Sequence, residues 1–199
     1  MIVKYIQEND IGCDNNMNIV YEKATLDDAY SIRYIGAYSW RETYTGLVPD
    51  DYLEYKIDHF EDKVEREKEL IKNSNYYVAR VDNKTVGFVV FGKSEDTKYS
   101  EYGYLGALYL LKDYQGYGIG KKLFEIAVKG LKELGYSKMM LECMEGNNTI
   151  NFYKKYSGEV IDTIDFSLNS GNLTVKADVM IFDINNTLRC LNSEKVLIK

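Results

Sequence analysis

The sequence predicts one α/β domain built on a mixed sheet (an α+β arrangement), in the order β-α-α-β-β-β-α-β-α-β-β. Three observations carry this. Three strand-like runs follow one another between Tyr76 and Leu111, as in an antiparallel meander. The last of them is joined to the best amphipathic helix in the chain by a glycine-spaced turn, Gln115-Gly116-Tyr117-Gly118-Ile119-Gly120. A strand, a short helix and a hairpin then close the pattern. The helical crossover should place the strand after it parallel to the strand before it.

Taken in order, residues 1–17 show no period and end in the polar run Asp14-Asn15-Asn16, so they read as an N-terminal extension. Met17, just before the first regular strand, is an alternative start, which a native mass retaining residues 1–16 would rule out. Asn18 to Lys23 is the first strand. Thr25, three residues before Asp28, has the spacing of a capping box, and the helix it opens should run to Tyr38 or Trp40. Tyr44 to Pro49 reads as a loop. Pro49-Asp50-Asp51 suits a helix start, and Leu53, Ile57, Phe60, Val64 and Ile71 form the buried stripe of one second helix. Tyr76–Val81, Thr85–Gly92 and Glu101–Leu111 are the meander strands, with Asp82-Asn83-Lys84 turning between the first two.

The helix 118–134 keeps a 3.6 period through Ile119, Leu123, Ile126, Ala127, Gly130, Leu131 and Leu134, and Gly135 ends it. Lys138–Met144 is a strand and Asn148–Tyr156 a short helix. Glu159–Leu168 and Leu173–Asp183 are strands joined by Asn169-Ser170-Gly171-Asn172. The domain thus spans 18–184, and 185–199 form a C-terminal tail of unassigned structure.

Bulk composition narrows the function. The chain has 199 residues, 45% of them hydrophobic, enough for a sizeable core. No apolar run reaches the roughly 18 residues of a membrane span, and the N-terminus lacks the pattern of a secretory signal. Cys13, Cys143 and Cys190 are odd in number and widely spaced, against both a disulfide framework and a zinc site. A reducing cytoplasm is the expected compartment, and no metal is expected. The net charge of −6 disfavours a nucleic-acid partner and is compatible with a cationic small molecule.

The glycine turn carries the chemistry. Glycines between a strand and a helix let backbone N–H groups face a ligand, and the helix start adds about half a positive charge. Together they suit an anion such as a pyrophosphate. A dinucleotide fold would need G-x-G-x-x-G in an early βαβ unit. Here the pattern is G-x-G-x-G, and it follows an antiparallel meander, which sets a nicotinamide enzyme aside. A tight turn that binds no ligand is the bland alternative.

The segment Gln115 to Gly120 matches the Q/R-x-x-G-x-G/A motif of the Gcn5-related N-acetyltransferases (the GNAT superfamily), and the resemblance covers nearly all of 18–184. Leu108 to Gln115 resembles that family's strand leading into the cofactor loop. Trp40 to Pro49 is similar to the first inter-helix loop of a bacterial branch, and Glu145-Gly146-Asn147 with Phe152 to Lys155 resembles the segment after the next strand.

The resemblance implies acetyl-coenzyme A as donor and a primary amine of a small molecule or peptide as acceptor, in a monomer or homodimer without nucleic-acid or membrane partners. It implies that backbone N–H groups of Gln115, Gly116, Tyr117, Gly118, Ile119, Gly120 and Lys121 hold the pyrophosphate. The main chain of Leu108, Tyr109 and Leu110 would pair with the pantetheine arm, between two splayed strands. Lys121, Lys122 and Lys155 are candidates for the 3′-phosphate.

Tyr153 matches the tyrosine that protonates the departing thiolate; its alternative is a core aromatic. Asn147 matches a polar contact to the cofactor arm, or caps a helix, or does both. A base must offset about 4.6 kcal/mol to deprotonate an amine of pKa about 10.4 at pH 7. Glu145, at the end of its strand, is the expected base. Glu42 and Glu142 are further candidates, because the strand position where the superfamily often places an acid is Tyr104 here. Trp40, Glu42 and Tyr44 are expected near the acceptor. His59 and Cys143 are read as surface and packing residues. A module of the same fold that binds acetyl-CoA without catalysis is the alternative function, distinguished by release of free thiol with an amine panel.

Overall fold

The computed structural model describes residues 5–6, 17–168 and 173–193. They form one eight-stranded sheet, in the order β1-β2-β3-β4-β5-β6-β8-β7. The strands are β1 (Tyr5–Ile6), β2 (Ile19–Lys23), β3 (Asn75–Val81), β4 (Lys84–Lys93), β5 (Gly103–Leu110), β6 (Lys138–Met144), β7 (Glu159–Leu168) and β8 (Leu173–Asp183). The helices are α1 (Ala29–Tyr44), α2 (Asp50–Asp58), α3 (Val64–Asn73), α4 (Ile119–Glu133), α5 (Ile150–Lys155) and α6 (Ile184–Ser193).

As expected, β3, β4 and β5 form an antiparallel meander and β6 runs parallel to β5. Asp82 and Asn83 both take positive φ, +49° and +67°, the backbone of a two-residue hairpin turn. The turn proposed at Asn169–Asn172 lies outside the described residues.

Two helical layers cover the sheet. On one face Ile32 and Ile35 of α1 pack on Val78 and Phe88. On the other, Leu123, Ala127 and Leu131 of α4 pack on Val89, Leu105 and Met180. The start of α1 is locked as its sequence suggests. Asp28 is 3% exposed, accepts from the Thr25 N–H at 2.9 Å, and pairs with Arg80 at 2.8 Å.

Three readings need correction, and two segments without an assigned element gain one. The first helix does not stop at Trp40 but runs to Tyr44, because Trp40 and Tyr44 pack ring to ring one turn apart, at 4.6 Å between centroids. The single second helix is two. Phe60 turns inward against Tyr30 and Tyr34, at 5.3 and 5.7 Å, and a short 3₁₀ turn over Glu61–Lys63 separates α2 from α3. Leu134 is 53% exposed rather than buried, since it caps α4 just before the left-handed Gly135 at φ +92°. The segment after Asp183 is helical: Asp183 Oδ1 accepts from the Asn186 N–H at 2.8 Å, and Ile184, Thr187 and Leu191 are buried. Finally, Tyr5–Ile6 of the N-terminal extension pair with Tyr21 and Val20 and add an edge strand.

Candidate functional site

Between β5 and β6 the sheet opens. The two strands pair only at Gly103↔Met139 and Tyr104↔Met140. Meanwhile β5 stays paired with β4 as far as Gly87↔Leu110. The register with β4 shifts at Val90/Phe91, so that Gly106 is an extra residue on β5. Such a bulge bends the strand that carries it. It does so where β5 leaves β6, which exposes one edge of residues 105–110.

The opening is a cavity of about 530 Å³. Its walls include Leu105 to Leu110, Leu141 to Cys143, and Asn147, Phe152 and Tyr153. The glycine loop lines its mouth through Gln115, Gly116, Gly118, Gly120 and Lys121.

Gly116 and Gly118 have φ of +85° and +77°, and no atom lies within 4 Å of a Cβ built at either. The glycines are therefore required by backbone conformation, not by crowding. The first helical bond of α4 runs from the Lys122 N–H to the Gly118 oxygen at 3.0 Å. The Ile119 and Gly120 N–H groups stand ahead of it at the positive end of the helix. Gln115 ties the loop down by donating from Nε2 to the Leu110 oxygen at 3.3 Å. Tyr117 is 47% exposed and does not line the cavity.

Alternation along β6 sends successive side chains to opposite faces. Cys143 joins the core that contains Leu108 and Tyr153. Glu142 points to the other face, where it accepts from Tyr104 Oη at 2.6 Å. On that same face Met144 packs with Tyr44 of α1, and Ser39, Thr43 and Tyr44 close the cavity. The cavity thus has an α1 side bearing Glu142 and an α4 side bearing Tyr153. A second groove, of about 810 Å³, shares Gly106 and Glu142 with it and carries Glu95, Asp96 and Tyr104.

The Tyr153 ring is held by Phe152, Phe124 and Phe182 at 5.3, 5.7 and 6.2 Å. Burial, then Cys143 and Tyr44, raise its hydroxyl pKa well above 10. Burial likewise pushes the Cys143 thiol up to about 11, with a smaller push from Asp178. Tyr104 is raised by burial and by Glu142. Tyr44 is raised by burial and Cys143, partly offset by Tyr109 and Asn147. Asn147 is 9% exposed; its Oδ1 accepts the Thr149 N–H at 2.9 Å and so caps the start of α5 while the residue lines the cavity.

Other expected residues lie elsewhere. Glu145 is exposed beyond the end of β6, its N–H bonded to the Lys176 oxygen at 2.9 Å, and it does not line the cavity. Glu42 is exposed, on the outer side of a helix that continues past it. Trp40 stands behind the wall, donating from Nε1 to Tyr109 Oη at 2.7 Å. His59 stacks on Tyr55 at 4.2 Å, away from the cavity. The reading along the chain missed Ser39 and Thr43, two residues of the α1 stripe facing β5. It also missed the Gly106 bulge, whose signal was a glycine inside a strand.

Among the described residues no group of three His, Cys, Asp or Glu side chains could hold a metal, and no helix is long and apolar enough to cross a membrane.

Comparison with known proteins agrees with this geometry. Residues 37–158 match the acetyltransferase (GNAT) family model. The chain is 33% identical over 154 residues to the uncharacterized N-acetyltransferase YuaI of Bacillus subtilis, covering 75% of this chain and 86% of that one. It is 26% identical over 157 residues to the spermidine N(1)-acetyltransferase of Thermoplasma acidophilum, covering 74% and 92%. The fold is shared with the PaiA N-acetyltransferase of Thermoplasma acidophilum, solved with coenzyme A, at TM-score 0.66 and 24% identity over 84% of this chain and 99% of that one. With the β5–β6 opening, the glycine loop and a match across more than half its length, the chain belongs to the acetyltransferase (GNAT) family and is an acetyl-CoA-dependent N-acetyltransferase.

Proposed function

We propose that the cavity binds acetyl-CoA from the α4 side and transfers its acetyl group directly to a primary amine arriving from the α1 side. The observation that carries this is the divergence of β5 from β6 after Tyr104 and Met140, with Glu142 and Tyr153 on opposite sides of the opening. The residues fit the donor. The loop from Gln115 to Lys121 offers an anion site, and the free edge of Leu108–Leu110 offers main-chain partners to an extended amide arm. Asn147 and Tyr153 line the inner end. Acetyl-CoA supplies an activated acetyl thioester.

What the protein supplies is position and proton traffic. Glu142, held by Tyr104, attracts the ammonium; the amine loses one proton to water before it attacks, and Glu142 takes the second as the nitrogen becomes acidic on addition. Glu145 sits outside the lining, so Glu142 has the stronger claim to the role expected of Glu145. Tyr153 gives a proton to the leaving sulfur. Burial keeps the Tyr153 hydroxyl protonated at physiological pH, and the residue lines the cavity wall, so it is the donor.

The acidic side chains at the groove favour a cationic aliphatic acceptor, in keeping with the spermidine named for the Thermoplasma relative. Residues 18–184 act as the catalytic domain, and α6, which follows, packs on it through Ile184 and Leu191. Action in the cytoplasm, as a monomer or a homodimer, without nucleic-acid or membrane partners, fits the charge of −6 and the free Cys143 and Cys190. The test is thiol release from acetyl-CoA across a panel of amines and peptides. The reading expects amine-dependent release that falls at least tenfold in Glu142→Gln and survives in Glu145→Gln; the reverse order restores Glu145 as the base.

A further inference from the structure

Among the described residues, Lys56 of α2 is a half-buried cation that belongs neither to the cavity wall nor to an ion pair. Its Nζ lies 4.1 Å from the centre of the Trp40 ring and 5.6 Å from that of Tyr52. The carboxylates around it are engaged elsewhere: Glu54 of α2 with Arg41, Glu61 of the 3₁₀ turn with Tyr30, and Glu67 of α3 with Arg33. The charges that act on it are both positive, Arg33 of α1 and Lys63 of the turn. Burial, then these two cations, bring its pKa down to about 8. The ring faces favour the charged form by less than about one pH unit. The described polar side-chain atoms that are both closed off and without a partner are Arg33 Nε, Ser39 Oγ and Tyr99 Oη. Lys56 Nζ is not one of them, so it keeps an opening to solvent. A desolvated lysine beside other cations is an activated amine.

We propose that Lys56 is a modification site whose neutral amine takes an acetyl group from acetyl-CoA in free solution. The Nζ lone pair forms the new N–C bond. The C–S bond breaks with its electrons going to sulfur, and the proton lost by nitrogen leaves coenzyme A as the thiol. The donor comes from solution because Trp40 and Tyr109 stand between Lys56 and the cavity. Trp40 donates to Tyr109 Oη at 2.7 Å, and of the two only Tyr109 lines the cavity. At pH 7.5 about a quarter of an amine of pKa 8 is neutral, against about 0.1% of an ordinary lysine. Its lower basicity gives back part of that gain. The amide that forms is uncharged, so acetylation removes the cation from the face of Trp40.

The experiment incubates the full-length protein with acetyl-CoA and no amine acceptor, and follows acetyl-lysine by peptide mapping. At about pH 7.5, Lys56 should react at least about fivefold faster than the exposed Lys23 and Lys132. Its rate should level off above about pH 8–9, whereas theirs keep rising toward about pH 10. Gly118→Val, which disables the glycine loop, should leave the rate at Lys56 within about twofold. Lys63→Glu, at an exposed position, turns one of the two cations into an anion. It should slow Lys56 by about threefold or more and move the levelling to higher pH. A rate at Lys56 no greater than at Lys23 and Lys132, a rate that does not level off, or an unchanged profile in Lys63→Glu overturns the proposal. Loss of the reaction in Gly118→Val overturns it too, by making the bound donor the source. No amine turns over in this measurement, so its failure is separate from a failure of the reading of the cavity.

Discussion

Cys143 and Glu142 are neighbours on one strand and face opposite sides of the cavity. The Cys143 thiol, pushed up to about 11 by burial, is neutral at physiological pH and a poor nucleophile. Alkylation by iodoacetamide at pH 8 should therefore be at least about tenfold slower at Cys143 than at the half-buried Cys190, as peptide mapping would show. The folded value lies above the roughly 8.5 of a free thiol. The thiol's contribution to stability is therefore whole below that pH and is lost as pH rises through about 11. On the same side as Cys143, Tyr153 carries a hydroxyl and is buried among aromatic rings, so Tyr153→Phe keeps the packing and removes only the hydroxyl. Turnover should fall by about 10²-fold while acetyl-CoA affinity, measured by calorimetry, changes less than about threefold. Unchanged turnover would remove Tyr153 as the acid.

The elements act through their ends. Helix α4 begins with Gly118 in the left-handed region, so its first N–H groups face outward at the mouth of the cavity. A branched residue there costs about 1–2 kcal/mol of backbone strain and tilts those groups away. Gly118→Val should weaken acetyl-CoA binding by more than tenfold; normal affinity would mean that the loop is not the anion site. The break between α2 and α3 is another such end. It depends on Phe60, which is 8% exposed and holds Tyr30 and Tyr34 edge-on. Phe60→Ala should cost about 3–5 kcal/mol in denaturant unfolding.

At the scale of the whole molecule, the opening exists because the sheet is held on both of its flanks. The meander β2–β5 is clamped by α1 to α3, and β6, β8 and β7 form a second antiparallel unit. The long helix α4 bridges them, sandwiched between the sheet and α6. Along it Phe124 and Val128 are buried, and Glu125, 3% exposed, sits between Lys122 and Lys129 at 3.3 and 2.5 Å. Ending the chain at Asp183 would expose that side and lose Ile184 and Leu191, together about 3–6 kcal/mol. The melting temperature should drop by roughly 10–20 °C, with acetyl-CoA binding per folded molecule retained below the new transition. A drop of less than a few degrees would make α6 an appendage.

What the sequence by itself determined was everything set by short-range pattern. The period-2 runs placed β3 to β8, the 3.6-residue stripe placed α4, and the spacing of Gln115, Gly116, Gly118 and Gly120 placed the glycine turn that lines the mouth of the cavity. Each depends on residues a few positions apart, where backbone sterics and burial on one face suffice. What only the tertiary structure decided were relations across the chain. That Glu142 lines the cavity and Glu145 does not turned on where β6 parts from β5, beside the bulge at Gly106 in that other strand. Helix α6 became legible once α4 had a second face to cover, and the α2–α3 break once Phe60 met α1. Ser39 and Thr43 looked like any residues of a helix until the fold set them in the cavity wall. The physical reason is the same in each case: a side chain's chemistry depends on which groups surround it, and those groups are brought by distant parts of the chain.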